Sequence, residues 1–111
     1  MPCLFCKIIN KEMPAEIVYE DEKFSVIKDI KPVAPIHFLI MPKKHLVSVN
    51  QLTASDKELI GELFLAAKKV AQDAGVSASG YRLIFNIGEK AGQSIDHLHL
   101  HLLGGKTLPW P

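Results

Sequence analysis

The sequence predicts an α+β domain: a five-stranded, mainly antiparallel sheet with one long helix and a short helix near the N-terminus. Three observations lead there. Residues 56–74 hold one uninterrupted run of apolar residues at helical spacing. Five short extended segments are joined mostly by brief connections, the pattern of antiparallel rather than parallel pairing. No repeat, linker or low-complexity segment divides the 111 residues, so residues 1–111 read as a single domain.

Charge and composition narrow the partners. Thirteen basic and 12 acidic residues leave a formal net charge of +1, which gives no electrostatic reason to expect a nucleic acid or an acidic membrane as partner. No stretch approaches the ~18 apolar residues of a membrane span. Met1–Lys7 also lacks the charged-then-apolar pattern of an export signal. A cytoplasmic location is therefore expected, and the two cysteines are then thiols or metal ligands rather than a disulfide.

Residues 3–12 suit a short helix with Leu4 and Ile8, joined by Phe5 and Ile9, on its inner face; Met13-Pro14 ends it. Ile17–Glu20, a turn at Asp21-Glu22-Lys23 and Phe24–Asp29 form a hairpin in whose second arm Ser25, Ile27 and Asp29 share a face. A loop with two prolines, Lys31–Pro35, leads to a third strand over His37–Met41, closed by Pro42. Ser55 and Glu58 have the spacing of a capping box for the long helix. Its stripe is Leu59, Ile60, Leu63, Phe64, Ala67, Val70, Ala71 and Ala74, with Gly75 as C-terminal stop. Tyr81–Ile87 is the fourth strand, followed by a glycine-bearing loop through Ser94.

The fifth segment, His97-Leu98-His99-Leu100-His101-Leu102-Leu103, carries three of the five histidines at alternate positions. In a strand the leucines face the core and the imidazoles line one outer surface at a pitch of roughly 6.5 Å. Imidazole serves as metal ligand, general acid–base or nucleophile. Just upstream, Gly92-Gln93-Ser94 offers backbone N–H groups, an amide and a hydroxyl, all suited to a developing anion. Asp29, Asn86 and His37 lie near strand ends that could converge there. The set suits phosphoryl chemistry. A three-histidine metal site is the rival, weakened because a ligand at i+4 on a flat strand lies too far along it.

The same run matches the His-φ-His-φ-His-φ-φ signature (φ apolar) of the histidine triad (HIT) superfamily. Lys28-Asp29-Ile30, Ala34–Ile40, Met41–His45 and Gly92-Gln93-Ser94 agree in order, and the tail Leu103-Gly104-Gly105 with Trp110-Pro111 resembles the histidine triad nucleotide-binding (Hint) branch. The resemblance implies a HIT-like fold, a homodimer whose sheets join across the interface, and one purine nucleotide site per subunit. It implies hydrolysis of the P–N bond of nucleoside 5′-phosphoramidates, as in an adenosine 5′-monophosphoramidase, without a cofactor in the chemistry. By position, His99 is the nucleophile, His101 bonds phosphate oxygens, and His97 and His37 fix the working imidazole. Ser94, Gln93 and Gly92 hold the phosphate, and Ser94 helps protonate the leaving amine. Asp29 binds ribose hydroxyls, Asn86 the sugar–phosphate, and Phe5, Ile8, Ile27 and Ile30 the purine.

Plainer roles stay open: ordinary core for those four apolar residues, turn formation for Asp29, Ser94 and Gln93, a frayed end for Trp110. In the Hint branch that tail instead reaches toward the partner's site. Cys3-Leu4-Phe5-Cys6 lets two thiolates grip one ion from a single turn. In some bacterial relatives such cysteines join two histidines in a structural zinc site, which maps onto His45 and His97; other members lack the cysteines. Two reduced, packed thiols are the alternative. Functionally, the alternatives are a dinucleoside polyphosphate hydrolase, which the Gly104-Gly105 and Trp110-Pro111 tail argues against, and a nucleotide- or zinc-binding interaction module without significant turnover. A nucleotidyltransferase of the kind with glutamine at the third triad position is disfavoured by His101.

Overall fold

In the computed structural model, residues 3–110 are described. Met1, Pro2 and Pro111, the last of which closes the Trp110-Pro111 motif, lie outside them. Strands β1 (Ile17–Glu20), β2 (Phe24–Lys28), β3 (Ile36–Pro42), β4 (Tyr81–Ile84) and β5 (Leu100–Gly104) form one sheet in the order β1-β2-β3-β5-β4. Every neighbouring pair is antiparallel. Two α-helices accompany it, α1 (Leu4–Ile9) and α2 (Lys57–Asp73). Among the described residues no helix is long and apolar enough to cross a membrane.

Register decides what each face carries. Ile27 pairs with Leu39 and Leu39 with His101, so these three share one face. Val26, Ile40 and Leu100 share the other. On that second face α2 lays Leu63, Ala66, Ala67, Val70 and Ala71 against Phe24, Val26, Phe38, Ile40, Leu98, Leu100 and Leu102. On the first face α1 sets Phe5 and Ile8 against Ile27, Leu39 and Met41. Strand β3 is thus covered on both sides, which is why it reads as a continuous apolar run. Leu63, fully buried at the centre of the α2 contact, tests this packing: Leu63→Ala should cost about 3 kcal/mol in urea unfolding, from lost burial plus the cavity left behind.

Several local expectations shift. The capping box belongs to Thr53 and Asp56, not Ser55 and Glu58, because a 3₁₀ turn over Ala54–Asp56 runs straight into α2. Asp56 Oδ2 accepts the Thr53 N–H at 3.0 Å, while Ser55 Oγ lies 2.7 Å from Thr53 Oγ1 inside the first turn. Helix α1 ends at Ile9, short of residue 12, and is rotated from the expected face: Phe5 and Ile8 are buried and Leu4 is exposed. Phe64 is likewise exposed on α2, edge-on to Phe85. Strand β4 stops at Ile84 rather than Ile87, and β2 stops one residue before Asp29.

The largest correction concerns the histidine run. Its ladder begins only at Leu100, because the His97 carbonyl accepts a hydrogen bond from the His99 ring and Leu98 N–H donates to Leu46. The alternation nonetheless persists: Leu98, Leu100 and Leu102 are buried against α2, with the imidazoles opposite. That opposite side is not an outer surface. His97 is fully buried and His99 nearly so, beneath α1. Gly104 and Gly105 close the strand where side chains have little room: a Cβ on Gly104 would stand 3.1 Å from Val76, and Gly105 takes φ +89° against Pro35.

Candidate active site

Burial holds His37, His97 and His99 below the ordinary imidazole range, and pushes His101 down to about 4 with help from the neighbouring His99 and His37. All four are therefore neutral at pH 7, each with one N–H and one lone pair. Backbone partners then assign which nitrogen is which. The His97 Nε2–H donates to the Pro42 carbonyl at 2.8 Å, leaving Nδ1 bare. The His99 Nδ1–H donates to the His97 carbonyl at 2.7 Å, leaving Nε2 bare. Val33 N–H donates to His37 Nδ1 at 3.2 Å, so the His37 proton sits on Nε2, within reach of His101 Nδ1, 3.0 Å away. While His37 donates there, His101 carries its own proton on Nε2. Phe5 packs edge-on to the His99 ring at 5.0 Å and fixes its plane.

The result is a bare nitrogen on His99 next to an N–H donor on His101, the rings 5.0 Å apart. A nucleophile and an anion-stabilising donor side by side suit displacement at phosphorus. His97 holds the His99 ring by its backbone carbonyl, while the His37 ring reaches His101 and not His99.

Acid should weaken this arrangement. In the unfolded chain imidazole protonates near 6.5, whereas His101 in the fold does so near 4. Between those values the unfolded chain binds more protons, so the His101 contribution is complete above pH 6.5 and is lost as pH falls toward 4. From pH 7.5 through 5.5 to 4.5, the unfolding free energy measured by urea titration should fall by roughly 2 to 3 kcal/mol more in the wild type than in His101→Asn.

Asp29 lies just beyond β2, one oxygen accepting the Lys31 N–H at 2.8 Å as a turn former, the other 3.3 Å from His37 Nε2. Phe5, Ile8 and Ile27 form the small core under α1, whereas Ile30 is 91% exposed and is not core. The Gln93 side chain staples its loop, donating to the Val47 and Ile95 carbonyls and accepting the Gly88 N–H. Gly92 turns with φ +89°. Ser94 is exposed on the rim of a cavity it shares with Cys3, His45 and Asp96. Among the described residues, no hydrogen bond joins Asn86, Gly92 or Ser94 to the imidazoles. Trp110 is exposed, its tail tied by Arg82 to the Pro109 carbonyl at 2.8 Å. Val33, whose N–H sets the His37 tautomer, gave no sequence signal, because a backbone donor can belong to any residue.

A second cluster joins Cys3, Cys6, His45 and His97, whose ligand atoms all lie within 4.8 Å of one another. Tetrahedral zinc with ordinary bond lengths needs S···N edges of about 3.6 Å and N···N edges of about 3.3 Å. The Cys3–His97, Cys6–His97 and Cys6–His45 edges are 3.5, 3.6 and 3.2 Å, and the His45–His97 edge is 3.2 Å. The bare Nδ1 of His97 is the nitrogen that faces the sulfurs. These four side chains fit a structural zinc. Asp29, His37 and His101 are also mutually close, but the Val33 N–H puts a proton, not a lone pair, on His37 Nε2, so that trio is a hydrogen-bond chain.

The family described as "Scavenger mRNA decapping enzyme C-term binding" matches residues 2–108, and an uncharacterised HIT-like protein of Synechocystis is 47% identical over 97% of this chain and 94% of its own. The chain belongs to the histidine triad family. A HIT family hydrolase from Legionella pneumophila superposes with TM-score 0.97 at 48% identity, covering 99% of this chain and 98% of that one. Another from Clostridium thermocellum gives 0.94 at 49%, covering 98% and 95%. The histidine triad fold, with its five-stranded antiparallel sheet and one long helix, is thereby established for this chain.

Proposed function

We propose that this histidine triad protein is a purine nucleoside phosphoramidase that works through a nucleotidyl-histidine intermediate. The observation that carries the reading is the His99 Nδ1–H bond to the His97 carbonyl, which leaves Nε2 as a neutral, fixed nucleophile. Nε2 attacks the α-phosphorus, a P–N(His) bond forms, and the bond to the leaving amine breaks. The departing nitrogen takes a proton from the Ser94 hydroxyl, which solvent water resupplies. The His101 Nε2–H donates to a phosphoryl oxygen throughout. Water then attacks the same phosphorus, releasing the nucleoside monophosphate and returning the electron pair to His99. Two displacements replace one hard one.

The purine lies along Phe5, Ile8, Ile27 and the exposed Ile30, its ribose on Asp29, with Asn86 and the Gly92-Gln93 backbone at the sugar–phosphate. A structural zinc on Cys3, Cys6, His45 and His97 cross-links α1 to the approach to β5 and neutralises two thiolates, taking no part in the chemistry. The protein is a homodimer joined along β4, an outer strand of the sheet, just beyond which Phe85 meets the exposed Phe64.

The test offers adenosine 5′-phosphoramidate and diadenosine tetraphosphate separately and follows AMP by chromatography. The phosphoramidate should be turned over at least tenfold faster in kcat/KM. Preference for the polyphosphate would make the protein a dinucleoside polyphosphate hydrolase. Retention of nucleotide without product would make it a binding module.

A further inference from the structure

The His37 Nε2–H faces two acceptors and can serve only one of them. His101 Nδ1 stands 3.0 Å away and Asp29 Oδ2 3.3 Å away. The carboxylate is the stronger acceptor because it is charged, and the imidazole is the nearer. Neither acceptor is free to leave. Asp29 is pinned by the Lys31 N–H on its other oxygen and by its own N–H to the His37 carbonyl at 3.0 Å. His101 is fixed in β5, and His37 in β3 is held by Val33. The proton therefore chooses between two built positions, and the choice matters for His101. While His37 donates to Nδ1, the His101 proton must be on Nε2. Once the His37 proton turns to Asp29, nothing holds that tautomer, and Nε2 can present a lone pair instead of a donor.

We infer that ribose recognition at Asp29 sets the tautomer of His101, with His37 as the positioning residue that couples the two. The inference rests on the proposed placement of ribose on Asp29 and phosphate on His101. A ribose hydroxyl donating to Asp29 Oδ2 occupies the acceptor and offsets its charge. The His37 proton then commits to His101, and Nε2–H is presented to the phosphoryl oxygen. The ligand selects one of two proton arrangements that already exist. Sugar recognition thus enters the rate of the chemical step, and not only the affinity.

Adenosine 5′-phosphoramidate and its 2′,3′-dideoxy analogue decide the matter by their separate kcat and KM values. In the wild type the dideoxy substrate should lose roughly tenfold in kcat as well as raising KM. In His37→Gln the side-chain amide has two N–H groups and can serve both acceptors at once, so the kcat difference should vanish while the KM difference stays. Asp29→Asn, on the more exposed side of the chain, provides the same test should the glutamine variant fold poorly: without the charged acceptor, kcat again becomes insensitive to the hydroxyls. A dideoxy penalty confined to KM in the wild type, or an equal kcat penalty in all three proteins, overturns the coupling. The ¹⁵N shifts of the His101 ring give a readout without turnover. Adenosine should move them toward the Nε2–H tautomer, and 2′,3′-dideoxyadenosine should not. Absence of turnover on either substrate would sink the phosphoramidase reading alone, and the ring shifts would still decide the coupling.

Discussion

His99→Ala should lower turnover of adenosine 5′-phosphoramidate by about 10⁴-fold or more, with little change in nucleotide binding. The size follows from what is removed. Without Nε2 no covalent intermediate forms, and water must displace the amine directly. The donor on His101 survives, so a residual rate above the uncatalysed reaction is expected. His99 packs under Phe5 and is nearly buried, so the variant also loses stability, and its melting temperature must be read beside its rate. A His99→Gly variant separates the two effects. Added imidazole can enter the vacated space and attack phosphorus in its place, restoring part of the turnover without restoring the protein's own side chain. Full activity of either variant without imidazole would show that the nucleophile is elsewhere, and His101 would be the next residue to test.

Much of this site was legible because alternation is a property of the backbone rather than of the sheet. Leu98, Leu100 and Leu102 face α2 although Leu98 lies outside the ladder. Alternation cannot say what covers the other face, and so His97 and His99, expected outside, are found beneath α1. The six-residue α1 offered too few positions for its apolar stripe to fix its rotation. Its orientation is consistent instead with Cys3 and Cys6 facing His97, a contact 94 residues away in the sequence for Cys3. The tautomers were equally beyond reach. They depend on the Pro42 and His97 carbonyls and the Val33 N–H, and a backbone group looks the same whatever residue carries it. The capping box failed for a smaller reason: Thr53-Asp56 and Ser55-Glu58 both have the required spacing, and only the preceding 3₁₀ turn chooses between them.

Removing the proposed zinc should have the second large effect, and on a different quantity. An ion present at a thousand times its dissociation constant stabilises the fold that binds it by roughly 4 kcal/mol. At about 4 °C per kcal/mol for a domain near this size, stripping it should lower the melting temperature by about 15 °C. Cys3→Ser with Cys6→Ser should do the same and should abolish the response to chelator. The loss reaches the nucleotide through two short links. Helix α1 carries Phe5 next to Cys6, and Phe5 packs on His99; His97, whose ring is the proposed buried ligand, holds His99 by its carbonyl. Loosening the first link should raise KM several-fold. Because the Pro42 carbonyl still holds the far side of the His97 ring, the second link should persist and kcat should fall less than affinity. Identical melting curves with and without chelator, on protein shown by elemental analysis to lose its metal, would remove zinc from the account. The two cysteines would then be packed thiols, and the His97 ring would be held by Pro42 alone.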